Sequence, residues 1–297
     1  MKIDFFPNNF LTKLSNNVVT KKDNNYPKIS IVMPSYNQVQ FIEKSILSIL
    51  NQDYSNTELI IIDGGSDDGT LDIIKKYEDK VTLWISEKDQ GQSDALNKGF
   101  KHCTGEIYGW LNSDDIYLPN AFINAVSVFK KNANKGIIFG DWLSINSQDN
   151  IIDHNHAFDF NLNHFKYEGF HLNAQSMFWS SSVHNRFSGF QINLHNTMDY
   201  QMILEFGINE GEQSFIRMPQ VIGAFRRYDG QKTAERTSHN EDEHRLISKR
   251  YQFLDKYRMI GKLKKIYFRL RRAFWYYKRG SITNLIKRLK MAYITNN

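Results

Sequence analysis

A chain of 297 residues, 41% of them hydrophobic, can bury a full core, and its length suits one large α/β domain with appendages better than two equal domains. A single cysteine, Cys103, excludes an internal disulfide, and no apolar run approaches the roughly 18 residues of a spanning helix, which sets aside disulfide scaffolds and integral membrane proteins. The formal charge of +6 belongs to the C-terminus: 13 Lys or Arg and no acid lie from Lys256 onward, leaving 25 basic and 32 acidic residues before it, a net of −7.

Residues 1–27 carry Asp4 and many Asn without the apolar stretch of a signal peptide, so they are expected to be an extension of a cytoplasmic protein. Ile29 to Met33 is an apolar strand ending at the turn-forming Pro34-Ser35-Tyr36-Asn37, and Gln40 to Leu50 has the apolar period of a helix. A strand over 59–62, a helix over 68–77, a strand over 81–85, a helix over 93–101 and a strand over 107–111 follow. Strands alternating with helices in this way imply a parallel sheet. Next come a helix opened by Pro119, a strand over 136–142 and a hairpin tip at Asp149-Asn150. The segment 153–189 is rich in His, Asn and aromatic residues and weakly periodic; it is expected to form the acceptor side. A helix over 198–206, a strand over 221–226 and a helix over 235–257 complete the domain.

The two most informative segments are ELIIIDGGSDDGT, from Glu58 to Thr70, and GEIYGWLNSDD, from Gly105 to Asp115. Each is an apolar β-branched run stopping at carboxylates, which places acids at the C-terminal ends of neighbouring strands, where open α/β sheets bind ligands. Asp63, followed by Gly64 and Gly65, can accept hydrogen bonds from a base or ribose, or it can simply shape the turn; Asp67 and Asp68 read first as helix caps. After the second strand, Asn112 and Ser113 face the donor side and Asp114 is the best candidate for a hard divalent cation, because a diphosphate leaving group needs its charge neutralised. Asp94, Asn97 and Lys98 share one helical face, from which they can reach sugar hydroxyls and phosphate. The histidines between His154 and His195 lack a tight ligand spacing such as HExxH and read as polar surface or acceptor-loop residues rather than a zinc site.

Taken together, ISIVMPSYN at 29–37, SILNQDY at 48–54, IIDGGSDDGT at 61–70, DQGQSDALNKGF at 89–100, TGEIYGWLNSDD at 104–115 and MDYQMILEF at 198–206 resemble the family 2 glycosyltransferases. Six such segments in the right order make the resemblance specific over 29–115 and looser as far as Arg227. It implies the GT-A fold, a Rossmann-like, mostly parallel sheet flanked by helices, and transfer with inversion from a nucleotide-diphosphate sugar. It divides the chain into an extension (1–27), a catalytic domain (28–258; donor half 28–115, acceptor half 116–234) and a basic amphipathic tail (259–297). It also implies that Pro34, Ser35 and Tyr36 line the nucleotide pocket, that Asp63 contacts the base, and that Asp94 approaches the donor. Asp114 and Asp115 fall in the metal motif for Mn²⁺ or Mg²⁺, and Asp199 falls where the family places its general base. Two departures stand out: Asn112 replaces the motif's first Asp, and Gly64 replaces a second acid after Asp63. In QSMFW, Gln175 and Trp179 are expected to face the acceptor, although a core Trp is an equal reading. Of Arg226, Arg227 and Lys232, Arg226 is placed at the diphosphate, with the inward-pointing group left open.

In the tail, Leu263, Ile266, Tyr267, Leu270, Phe274 and Tyr277 recur at helical spacing, and a second such pattern runs from Ile282 to Tyr293. Basic amphipathic helices of this kind suit an anionic membrane surface; docking on the domain or dimerisation is the alternative. The expected protein is a glycosyltransferase peripheral to the inner membrane face, with UDP the family's habitual nucleotide, a glycan or lipid-linked glycan as acceptor, and surface polysaccharide as product. A nucleotidyltransferase is disfavoured because the first strand lacks a Gly-rich basic phosphate loop. A nucleic-acid binder is disfavoured because positive charge is confined to the tail.

Overall fold

The computed structural model describes residues 26–132, 136–169, 172–232 and 238–278. The second tail helix expected over 282–293, and residues 1–25, lie outside them.

Parallel strands β1 (Ile29–Ser35), β2 (Thr57–Asp63), β3 (Leu83–Ser86) and β4 (Ile107–Trp110) alternate with helices α1 (Ile42–Leu50), α2 (Thr70–Lys76) and α3 (Gln92–Phe100). All seven residues of β1 are buried because helices cover both faces of the sheet. Ile29, Ile31 and Met33 point to one layer with Ile42, Ile46 and Ile74, whereas Val32 joins Leu96 and Phe100 on the other. The two-residue side-chain period of a strand thus assigns α1 and α2 to one side and α3 to the opposite side.

The chain continues through β5 (Ile116–Tyr117), α4 (Ala121–Lys131), β6 (Ile137–Ile145), β7 (Ile151–Asn155), α5 (Leu162–Glu168), β8 (Met177–Ser180), α6 (Ser181–His184), α7 (Met198–Glu210), β9 (Phe215–Arg226), α8 (Ser238–Arg250) and α9 (Met259–Lys278). The sheet order is β3-β2-β1-β4-β8-β6-β9-β5, with β7 on β6. Beyond β4 the sheet is mixed: β8 runs antiparallel to both β4 and β6, and β9 runs parallel to β6. The strand order reverses direction at β1, so the C-terminal ends of β1 and β4 open a crevice at the switch point.

The expected strands and helices from β1 to β4 appear within about three residues of their anticipated limits. The hairpin tip also falls at Asp149, whose φ of +64° is the left-handed turn conformation that Asp tolerates. The helix expected over 235–257 is broken, with α8 ending at Arg250, Gln252 at φ +57° and a 3₁₀ turn over Leu254–Tyr257. Phe253 turns inward there and is buried in the core beside α7, a tertiary demand that helical periodicity does not reveal.

Candidate active site

At the crevice the loops after β1 and β2 fasten to one another. Asn37 N–H donates to Ser66 Oγ (2.8 Å), Gln38 N–H to Thr70 Oγ1 (2.8 Å) and Val39 N–H to Asp68 Oδ2 (2.9 Å). Asp68 also accepts from Thr70 N–H (2.9 Å), an Asx turn just ahead of α2, whose N-cap position is taken by Gly69. Pro34 and Ser35 are buried behind the crevice, whereas Tyr36 is exposed at its mouth.

Asp63 is fully buried. Its Oδ2 accepts from Gly65 N–H (3.0 Å), Ser66 N–H (2.8 Å) and Ser86 Oγ (2.8 Å), and its Oδ1 from Ser66 Oγ (2.5 Å). Its carboxylate therefore organises the turn at the end of β2. Gly64 has a packing reason: a Cβ there would lie 3.0 Å from Asp89 Oδ2. The Asp89 carboxylate occupies the space that a second acid after Asp63 would fill.

Beyond β4, Asn112 Oδ1 accepts from Trp110 Nε1 and from Gln92 Nε2, both at 2.7 Å, and its Nδ2 donates to Asp115 (3.2 Å). Since the indole can only donate, the amide orientation is fixed. An Asp at this position would set a carboxylate oxygen against Asp115, a physical reason for the Asn. Ser113 is buried, its carbonyl accepting from Ser45 Oγ (2.9 Å). Asp115 is fully buried, with Oδ1 accepting from Arg226 N–H (2.9 Å). It is part of the frame and does not share an open face with Asp114, which corrects its assignment as a metal ligand.

Asp114 is half-buried and receives Tyr228 OH at 3.1 Å. Burial raises its pKa, outweighing the Tyr228 hydrogen bond and the Arg226 charge; burial and then the Asp114 charge raise that of Asp115 well above the ordinary range. A carboxylate held at this cost is a fitting oxygen ligand for a hard divalent cation.

Arg226 is also fully buried. It donates through Nε to Asp114 O (2.8 Å) and through Nη1 to Asn146 O (2.9 Å) and Asp149 Oδ1 (2.6 Å), with its guanidinium 4.7 Å from the Phe41 ring. It clamps the β6–β7 hairpin tip and the Asp114 backbone through Nε and Nη1, while its buried Nη2 has no hydrogen-bond partner. Arg227 is exposed. Lys232 is exposed as well, but its ammonium lies 3.4 Å from Gln92 Oε1, and desolvation lowers its pKa against the fields of Glu243, Asp199 and Asp89. Asp94 accepts from Gln90 N–H (3.1 Å) and pairs with Lys98 (3.2 Å), which also pairs with Glu87 (2.7 Å). Asn97 is turned to the loop at Phe190, bonding its carbonyl (2.7 Å) and N–H (2.9 Å).

Asp199 sits in the first turn of α7 with Oδ1 accepting from Tyr200 N–H (2.7 Å). Burial pushes its pKa up to about 6, partly offset by the Tyr200 hydrogen bond and Lys232. The segment leading into α7 is held by a residue that sequence reasoning missed. Glu243, on α8, accepts from His195 N–H (2.8 Å), Asn196 N–H (3.0 Å) and Thr197 Oγ1 (2.9 Å). No sequence signal marks it, because an acid in a polar helix ordinarily faces water.

The acceptor-side expectation at QSMFW is corrected. Trp179 is fully buried among Phe100, Phe206 and His184, and Gln175 is buried beneath Gly223. β8 lies between β4 and β6 in the middle of a sheet covered on both sides, so Phe178 and Trp179 enter opposite core layers. A central strand offers no side chain to a soluble acceptor.

The model of glycosyl transferase family 2 matches residues 30–191, more than half of the chain. An uncharacterized glycosyltransferase of Rickettsia typhi is 38% identical over 118 residues, 39% of this chain and 37% of its own length. The UDP-Glc:alpha-D-GlcNAc-diphosphoundecaprenol beta-1,3-glucosyltransferase WfgD of Escherichia coli is 35% identical over 120 residues, 40% of this chain and 47% of its own. The match thus spans less than half the length of either relative. Among solved structures, S. aureus TarS 1-349 in complex with UDP-GlcNAc superposes with a TM-score of 0.63 over 91% of this chain and 92% of that one at 15% identity. The mannosyltransferase PcManGT of Pyrobaculum calidifontis, in complex with GDP-Man and Mn²⁺, gives 0.55 over 92% and 81% at 16% identity. At these identities the superpositions establish the GT-A-type fold. The family model, by its extent, establishes that the chain is a glycosyltransferase belonging to family 2.

Proposed function

We propose that the protein transfers one sugar from a UDP-sugar to a lipid-linked glycan by direct displacement with inversion. The observation that carries this reading is that Asp114 stands beside a hydrogen-bonded chain running from Asp115 through Asn112 and Gln92 to Lys232, which in turn lies in the field of Asp199. Leaving-group chemistry and proton removal need the Asp114 and Asp199 carboxylates on opposite sides of one reacting carbon. Asp199 accepts the acceptor hydroxyl proton as the new C–O bond forms and the bond to the diphosphate breaks. Lys232 supplies positive charge toward the departing phosphate, and Tyr36 at the mouth offers a ring to the base. Asp114 would hold Mn²⁺ or Mg²⁺, which when bound neutralises the diphosphate charge. The relative named for a UDP-Glc donor and a diphosphoundecaprenol acceptor supports the substrate classes.

Thermal denaturation with UDP, GDP, TDP and CMP, each with and without Mn²⁺, tests the donor site. At a hundredfold excess over Kd, UDP with Mn²⁺ is expected to add about 2.7 kcal/mol, a shift of several degrees in Tm. No shift with any of the four nucleotides would remove the donor-site reading.

The tail supplies the location. One side of α9 docks on α5 and the turn before it, with Phe268 and Tyr276 buried, Lys264 donating to Tyr167 OH (2.8 Å) and Arg272 paired with Glu168. The stripe Leu263, Ile266, Tyr267, Leu270, Phe274 and Tyr277 faces outward, each residue 54–66% exposed. At about 100° per residue these side chains span roughly 100° of the helix, opposite the docked face and flanked by exposed Lys262 and Arg269 on one side and Arg271 on the other. A second copy would meet like charge along both flanks, whereas anionic lipid would meet apolar side chains at its core and cations at its rim. Among the described residues no helix is long and apolar enough to cross a membrane. The full chain is expected to sediment with phosphatidylglycerol vesicles and not with phosphatidylcholine ones, and Leu270→Glu with Phe274→Glu is expected to abolish this. Equal recovery of the double variant would exclude α9 as the contact.

A further inference from the structure

Away from the crevice, the β6–β7 hairpin gathers three side chains that the transfer reaction does not use. Asp141 lies on β6, paired in register with Val221 of β9. That is five positions before Arg226, roughly 16 Å along the strand at about 3.3 Å per residue. His154 lies on β7 and His156 just beyond its end, one residue apart, with both rings on the same side. Asp141 Oδ2 lies 2.6 Å from His156 Nδ1 and 3.5 Å from His154 Nε2, and one ligand atom from each of the three residues falls within 4.8 Å of the others. The His rings are 4.1 Å apart, centroid to centroid.

We propose that Asp141, His154 and His156 form a second metal site, for a borderline divalent cation of the Zn²⁺ class, distinct from the donor-site cation at Asp114. Two imidazoles and one carboxylate oxygen suit Zn²⁺ better than Mn²⁺ or Mg²⁺, which favour oxygen ligands. Ligand atoms about 2.0–2.1 Å from a tetrahedral zinc lie about 3.3 Å apart, so the His154–Asp141 spacing already matches, and the His156–Asp141 hydrogen bond would open by roughly 0.7 Å.

Three features show a built site. His154 Nε2 is shielded from solvent and has no hydrogen-bond partner, although it is aimed at Asp141. Arg217 Nη2 (2.8 Å) and Ala157 N–H (3.1 Å) bond Asp141 Oδ1, orienting the carboxylate while leaving Oδ2 to the two imidazoles. Both imidazoles face the buried Asp141 Oδ2, so the carboxylate oxygen and the two ring nitrogens point to one shared position. The consequence reaches the tail: Tyr276 OH, on α9, donates to the His156 carbonyl (3.1 Å), and the Arg217 guanidinium lies 5.5 Å from the Trp275 ring. A metal joining β6 to the segment after β7 would stiffen the platform on which α9 rests.

The test uses tag-free full-length protein stripped with a chelator. Zn²⁺ is titrated in competition with a chromophoric chelator, and Co²⁺ is followed by its visible d–d absorption. One Zn²⁺ per chain is expected, with a rise in Tm, and with binding unchanged in Asp114→Asn. His154→Ala and His156→Ala are each expected to weaken Zn²⁺ by more than the roughly 10- to 100-fold lost with a supporting partner. His154→Ala removes a ring nitrogen that has no hydrogen-bond partner, so it keeps the test decisive even if Asp141→Asn unfolds by stranding Arg217. Failure of the wild type to take up stoichiometric Zn²⁺, or equal affinity in both His variants, would overturn the site. So would loss of Zn²⁺ in Asp114→Asn alone.

Discussion

Asp199→Asn is expected to lower kcat by roughly 10²- to 10⁴-fold, the range spanned by loss of a positioned general base. The amide is nearly isosteric and its oxygen can still accept from Tyr200 N–H, so α7 keeps its first turn. It cannot take a proton from the acceptor hydroxyl. The effect should therefore fall on kcat, while UDP affinity measured by calorimetry stays within about threefold, because the proposed nucleotide contacts lie on other loops. The pH profile gives an independent reading. Burial lifts the Asp199 carboxyl to about 6, and the base acts only when ionised. Wild-type kcat/KM should then fall about tenfold per pH unit below that value and flatten above it. The residual rate of the Asn variant should lack this limb. A variant that retains more than a third of wild-type kcat, with the acidic limb intact, would assign the base elsewhere.

Asp114→Asn is the second large expected effect. The side-chain oxygen still accepts from Tyr228 OH, and the backbone carbonyl that receives Arg226 Nε is untouched, so the local frame persists. The negative charge is lost, and with it the ligand that compensates a cation against the diphosphate. Since that neutralisation contributes several kcal/mol to the transition state, kcat/KM should drop on the order of 10²- to 10³-fold. The Mn²⁺ concentration for half-maximal rate should rise at least about tenfold. Asp115→Asn provides the contrast. Its carboxylate is buried between Arg226 N–H and the Asn112 amide, so the change should appear first as a lower Tm. If instead Asp115→Asn altered the metal requirement while Asp114→Asn left it unchanged, the two roles would be exchanged.

Four placements share a physical origin. Arg226, Asp115, Asp63 and Trp179 carry the right chemistry at the right place in the chain, yet each is fully buried and held by its neighbours. Arg226 alternates with exposed Arg227 at the end of β9, and sequence does not say which of two adjacent basic residues faces inward. Its partners, Asp149 on the hairpin tip and the Asp114 carbonyl, come from segments 77 and 112 residues away. Lys232 reaches the site because Gln92, 140 residues earlier, receives it. The metal-binding hairpin shows the same limit. The spacing His-x-His is visible in the sequence, but its meaning depends on an extended backbone and on Asp141 from the neighbouring strand.

What the sequence determined by itself is local in origin. Apolar runs of period two and 3.6, ended by Pro, Gly and Asp, specified β1 to β4 with their helices, the parallel order and the crevice. The tail stripe from Leu263 to Tyr277 was legible for the same reason, since helical periodicity defines a face without reference to any partner. Tertiary structure alone decided which polar groups look into the crevice and which brace it. That choice depends on pairing across the sheet: β8 inserts between β4 and β6, and β9 returns beside β6 to deliver Arg226 beneath Asp114. Such contacts between distant segments carry no periodic signature in the chain, and the cost of burying a charge without a partner fixes them only once the sheet has closed.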